Sequence, residues 1–142
     1  MTGILTEDAL FKKSPQEITA LLYEACLTNL EEAIDDINNK DHVIANKKLQ
    51  KANDILQRLG AGLNYEAGII ADQLDALYNY MADKVVEANY KKDPKLIEEV
   101  IKSLEPIALA WNEALKKKPA QTSGALKNKA MAYEKSVLME DK

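Results

Sequence analysis

Residues able to do chemistry are scarce in this sequence: one histidine (His42), one cysteine (Cys26) and one arginine (Arg58) stand among 142 residues. A structural zinc site takes four Cys or His ligands and a bidentate phosphate clamp takes arginine, so that stock builds neither a His/Cys metal cluster nor a set of clamps. His42 follows the turn-like run Asn38-Asn39-Lys40-Asp41 and reads as a surface or capping histidine, with ligand or acid–base work as the weaker reading. Cys26 lies between Ala25 and Leu27 on an apolar arc, which favours a small buried hydrophobe over a reactive thiol. The carboxylate pairs Glu31-Glu32, Asp35-Asp36 and Glu98-Glu99 are adjacent in sequence. Neighbours on a helix point about 100° apart, so these are solvated surface and not an acid–base dyad. Glycine-rich phosphate loops, a nucleophile elbow and the Glu-x-x-His pair of di-metal bundles are all missing. The expectation is a protein with no catalytic, cofactor or metal site, and not an enzyme.

Charge narrows the binding classes in the same direction. The net charge is −4 and most of the eighteen lysines sit among carboxylates, which argues against a nucleic-acid partner. Lys116-Lys117-Lys118 is the one basic triplet, and it reads as a helix C-terminus offsetting its own dipole. The longest apolar run, Ile107 to Trp111, is far short of the roughly twenty residues of a membrane span, so no membrane insertion is expected. The N-terminal run Met1 to Asp8 has no basic region or cleavage site, and with the lone cysteine this fits a cytoplasmic location.

The elements that would position these residues are helices. Ser14-Pro15-Gln16-Glu17 combines an N-cap hydroxyl, a first-turn proline and a capping-box glutamate. Ile18, Leu22, Ala25, Cys26, Ala33 and Ile37 then recur at helical spacing. A second stripe, Ala45, Leu49, Ala52, Leu56, Leu59 and Leu63, ends near Gly60 and Gly62. After Asn64-Tyr65-Glu66-Ala67-Gly68 comes a third, Ile70, Leu74, Leu77, Met81, Val85 and Ala88, and after Asp93-Pro94 a fourth, Leu96, Val100, Leu104, Ile107, Trp111 and Leu115. Pro106 falls inside the fourth helix and predicts a kink. Nothing alternates with period two and the connections are short. The pattern predicts an all-α, antiparallel up-down four-helix bundle over 14–118, preceded by an N-terminal lid segment over 1–13. Residues 119–142 read as a linker and a fifth C-terminal helix, whose thin stripe of Leu126, Ala130, Tyr133 and Val137 needs something to accept it.

More apolar side chain is present than four seams need. Tyr23, Leu27, Leu30 and Ile34 broaden the first helix and read as a wide buried arc. Ile44 and Ile55 lie off the main stripe of the second helix on a common side, and Ile69, Gln73, Ala76 and Tyr80 form a second line on the third. With Leu59 and Tyr65 these residues are the candidate lining of a groove for an amphipathic segment of a partner.

Several stretches, in order, resemble the FliS family of flagellar secretion chaperones: Ser14-Pro15-Gln16-Glu17, Leu21-Leu22-Tyr23-Glu24, Lys51 to Leu56, Tyr65 to Gly68, and Leu74 to Met81. Ala88-Asn89 before Lys92-Asp93-Pro94, and Glu99-Val100 before Ala110-Trp111, continue the likeness, which spans about residues 12 to 116. The resemblance implies a cytosolic bacterial chaperone that holds flagellin before export by its C-terminal segment, disordered in the monomer and helical in the filament. Further partners it suggests are flagellar export or regulatory proteins and a second copy in a homodimer. Many members carry an N-terminal tyrosine that packs over part of the groove; no tyrosine precedes Tyr23 here, and Leu10 or Phe11 is the candidate equivalent lid. Pro106 and the tail after Lys118 also depart from the family pattern. The tail has three readings: a flagellin mimic in a groove, a disordered end, or a self-association element. The competing function is a regulatory or scaffolding helical bundle that binds another soluble protein or itself.

Overall fold

A computed structural model describes residues 14–63 and 68–116. Four helices follow one another: α1 (Pro15–Asn38), α2 (His42–Ala61), α3 (Ile69–Lys91) and α4 (Pro94–Lys116). No strand occurs among the described residues. They pack as the expected antiparallel four-helix bundle, each helix beside the next and α4 closing on α1.

Local chemistry sets the helix ends. Ser14 Oγ accepts from the Glu17 amide at 3.1 Å while Glu17 Oε1 accepts from the Ser14 amide at 3.0 Å, a reciprocal cap over two otherwise orphaned donors. α1 stops where Lys40 enters the left-handed region at φ 63°. Gly68, ahead of α3, takes φ 76° and ψ −136°, a conformation that a side chain strongly disfavours. At the far end of α3, Lys92 is left-handed and the Asp93 amide donates to the Ala88 carbonyl at 3.2 Å. Lys92 Nζ also donates to the Asn89 carbonyl at 2.6 Å, placing a cation on the negative end of the helix dipole. The Lys95 amide donates to Asp93 Oδ1 at 3.0 Å and so starts α4. α4 runs through Pro106 as one element; the proline is exposed, as is Lys102, whose carbonyl loses its donor.

The interior holds Tyr23, Cys26, Leu30, Ala33 and Ile37 from α1, with Leu49, Ala52 and Leu56 from α2. Facing them are Tyr78, Met81, Val85 and Ala88 of α3 and Ile97, Val100, Leu104 and Ala108 of α4. Each large side chain in this set contributes about 1.5–3 kcal/mol by leaving water. Tyr23 and Leu30 lie in the centre, as the broad arc on the first helix implied, while Ile18 and Leu22 of the expected stripe are half-buried at its edge. On α3 the buried arc is turned toward Ala71, Tyr78 and Ala82, so Ile70 is exposed and Leu74 and Leu77 are half-buried. On α4, Leu96, Ile107 and Trp111 are half-buried around Ile97 and Ala108, and Leu115 is exposed.

Four cross-helix contacts tell which flank of each helix meets which neighbour. Lys48 of α2 pairs with Glu32 of α1. Asn89 Nδ2 of α3 donates to Asn46 Oδ1 of α2 at 2.6 Å. Lys84 of α3 lies 3.5 Å from Glu99 of α4, and Trp111 Nε1 of α4 donates to the Gln16 carbonyl of α1 at 2.9 Å.

Candidate partner-binding surface

At 100° per residue, Ile44 and Ile55 of α2 share the flank of Lys48, which faces α1. Gln50, Asn53 and Gln57 share the flank of Asn46, which faces α3. The α2/α3 side carries two shallow depressions in line. One, of about 420 Å³, is lined by Asn46, Gln50, Asn53, Val86, Asn89 and Tyr90 among others; the second, of about 250 Å³, by Gln57, Gly60, Asp75, Tyr78 and Asn79 among others. Side-chain amides line this strip beside apolar residues that include Leu49, Leu56, Val85 and the exposed Val86 and Tyr90, so it offers both hydrogen bonds and apolar burial.

The α3/α4 side is built differently. Lys84 bridges it at one end, near Glu99 and with Nζ 5.4 Å from the Tyr80 ring centroid. The carboxylate of Glu99, and then the Tyr80 hydroxyl, raise the Lys84 pKa and keep its cation in place. Stepping from this pair in antiparallel register, Tyr80, Ala76, Gln73 and Ile69 on α3 run opposite Ser103, Ile107, Ala110 and Ala114 on α4. Tyr80 is 46% exposed, Ile69 74%, and Ala76, Ala110 and Ala114 are also exposed. α3 and α4 are also the least intimately packed of the four neighbouring pairs. The result is an exposed strip about 16 Å long, with Ile69 and Tyr80 as its large apolar side chains on α3 and Ala110 and Ala114 as small ones on α4.

The expected groove residues are therefore not brought together. Ile55 and Leu59 are 5% and 3% exposed and belong to the core, which corrects their expected place on an accessible surface. The flank of α2 that carries Ile55 is closed by α1. Ile44, at 46%, remains accessible but sits on the α1 side of α2. Ile69, Gln73, Ala76 and Tyr80 are accessible and lie together on the α4 side of α3, remote from Ile44. Tyr65, Leu10 and Phe11 lie outside the described residues. Sequence reasoning missed Val43, Val86, Tyr90 and Leu109, all large and exposed. Their only signal was an apolar residue more than 90° off its helix's stripe. It also missed Ile107, Ala110 and Ala114 as the opposite wall, because a single helix's periodicity does not say what stands across from it.

The scarce reactive residues have structural places. Cys26 is fully buried, its Sγ 3.6 Å from the Ala52 carbonyl, and burial pushes its pKa up to about 12. The thiol is thus neutral and shielded, as expected. His42 is exposed at the first position of α2. No helix among the described residues is long and apolar enough to cross a membrane.

Comparison with known proteins agrees with this architecture. The family model described as Flagellar protein FliS matches residues 5–118. The chain is 34% identical over 122 residues to the flagellar secretion chaperone FliS of Salmonella typhimurium, covering 84% of this chain and 90% of that protein. It is 32% identical over 112 residues to the Bacillus subtilis chaperone of the same name, covering 79% and 84%, and 29% identical over 111 residues to that of Vibrio cholerae, covering 78% and 82%. Matched over most of its length by the family model and by relatives from several species, the chain belongs to the FliS family of flagellar secretion chaperones.

Proposed function

We propose that this protein is a cytoplasmic chaperone, without enzymatic activity, that binds the disordered C-terminal segment of flagellin and hides its apolar face until secretion. The observation that carries this reading is the exposed apolar strip from Ile69 to Tyr80 along α3, on a member of a flagellar secretion chaperone family. A free amphipathic segment self-associates through its apolar face; laying that face along Ile69, Ala76 and Tyr80 opposite Ile107, Ala110 and Ala114 removes it from water. The alanines of α4 leave room for large side chains of the incoming segment. Ordering that segment offsets much of the contact energy, so a long interface stays releasable. The exposed Ile44 edge on the far side of α2 suits a segment that wraps around the bundle.

The test is co-purification with full-length flagellin and with flagellin lacking its C-terminal segment. The full-length protein is expected to form a one-to-one complex, and a peptide of the missing segment to gain helicity on binding. Equal capture of both flagellins, or none with the bundle folded, contradicts the proposal.

A further inference from the structure

The α2/α3 strip reads nearly the same from either end. Forward along α2 come Val43, Asn46 and Gln50; backward from its far end, in the same steps of three and four, come Gly60, Gln57 and Asn53. Backward along α3 come Lys92, Asn89 and Val86; forward, in nearly the same steps, come Asp75, Asn79 and Ala82. All of these except Val43 line the two depressions, and Lys92 at one end and Asp75 at the other are the charged residues of that lining. The hydrogen bond from Asn89 to Asn46 sets the two helices level. The midpoint of the α2 pattern therefore lies at the same height as that of the α3 pattern.

A two-fold axis through that shared midpoint, at right angles to the helices, lays α2 antiparallel on the α2 of a second copy and α3 on its α3. Each position then meets its counterpart. Val43, 72% exposed, falls on Gly60 of the other copy, and Val86, 56% exposed, falls on Ala82. Asn46 meets Gln57, Gln50 meets Asn53, and Asn89 meets Asn79; amides suit such self-pairing because each both donates and accepts. Lys92 meets Asp75 twice, as opposite charges. Tyr90, 89% exposed beside Lys92, gains cover. At the rim Asp54 lies level between Lys47 and Lys51 of the other copy, and Asp72 lies just beyond Lys92. Arg58 near Lys47, and Asp83 near its own copy, are like-charge approaches in water, where each costs little. Lys48, Lys84 and the Glu87/Lys91 pair are turned toward α1 or α4, and Asp41 and Asp93 lie in turns beyond the pattern.

We infer that two copies of this chain associate through their α2/α3 strips as an isologous two-fold dimer, with Lys92 of each against Asp75 of the other. The strip is about 26 Å long and about 20 Å wide, so the pair covers about 1,000 Å² in all, the size of a weak, reversible association. Ile69 and Tyr80 lie on the other side of α3, so the dimer does not rest on the flagellin reading.

The test is sedimentation velocity of the full chain, with no client, from about 1 to 300 μM, over which a micromolar dimer should pass from monomer to dimer. Val86→Glu sets a carboxylate against Ala82 and should weaken association about tenfold or more. Asp75→Lys should do the same by setting lysine against Lys92, and adding Lys92→Glu should bring the dissociation constant back to within about threefold of the wild type. Val86 and Asp75 lie at the surface, so both single variants should melt within about 3 °C of the wild type. Ile69→Asp should leave the dimer as it is. A chain that stays monomeric throughout, a dimer indifferent to Val86→Glu and Asp75→Lys, a dimer lost with Ile69→Asp, or a failure of Lys92→Glu to restore association overturns the inference.

Discussion

Tyr23 and Tyr78 share a 2.6 Å hydrogen bond between their hydroxyls, joining two diagonally opposed helices through the bundle interior from positions 55 residues apart. The Trp111 ring stands edge-on to Tyr23, centroids 6.1 Å apart at 65°, and its Nε1 reaches the Gln16 carbonyl at 2.9 Å. One aromatic cluster thus ties α1, α3 and α4 together, and buries its polar tips only because they have partners. Tyr23→Phe keeps the ring and loses one hydroxyl, so it should cost about 1 kcal/mol, a fall in melting temperature of roughly 3 °C. Tyr23→Ala opens a cavity and should cost about 3–5 kcal/mol. Thermal denaturation of both variants decides; equal losses would mean that the hydroxyl, not the ring, dominates.

The buried thiol makes stability depend on alkaline pH. Cys26 has its pKa raised from 9.0 to about 12 in the folded protein, so between those values the unfolded chain releases a proton that the folded chain keeps. The contribution is fully present below pH 9 and is lost as pH rises toward 12, by up to about 1.4 kcal/mol per pH unit. Urea denaturation at pH 8, 9 and 10 should show this slope, and Cys26→Ala should flatten it. A thiol reagent at pH 8 should label Cys26 only as fast as the bundle opens.

At the start of α1 the reciprocal cap between Ser14 and Glu17 holds the turn that carries Gln16, the residue whose carbonyl accepts from Trp111. Ser14→Ala should cost about 1 kcal/mol. Because the loosened turn bears the Trp111 partner, the emission of this single tryptophan should shift toward longer wavelength in the native baseline. An unchanged spectrum with lowered stability would separate the cap from the aromatic cluster.

Placement on the α3/α4 strip or in the core separates binding from folding. Ile69→Asp and Tyr80→Glu alter exposed side chains, and should weaken flagellin binding about tenfold or more with melting temperature changed by no more than about 2 °C. Ile55→Asp and Leu59→Asp bury an unpaired carboxylate and should unfold the protein. Calorimetric titration beside thermal melts reads both. Intact binding by the Ile69 and Tyr80 variants would move the client off this strip.

Local signals were legible in the sequence wherever backbone chemistry alone decides: the Ser14-Pro15-Glu17 start, the turn before His42, the stop near Gly62 and the Asp93-Pro94 restart all stand where expected. Four stripes with short connections were enough for the antiparallel bundle, because each helix has one apolar side to bury. What periodicity cannot state is which neighbour a flank meets. Ile55 and Tyr80 both lie off their stripes, and the angles within each helix are indistinguishable in kind. Only the tertiary arrangement puts α1 against the flank of Ile55 and leaves the flank of Tyr80 open beside α4. A helix's angular pattern is local, whereas exposure depends on the handed order in which four helices close around a shared core.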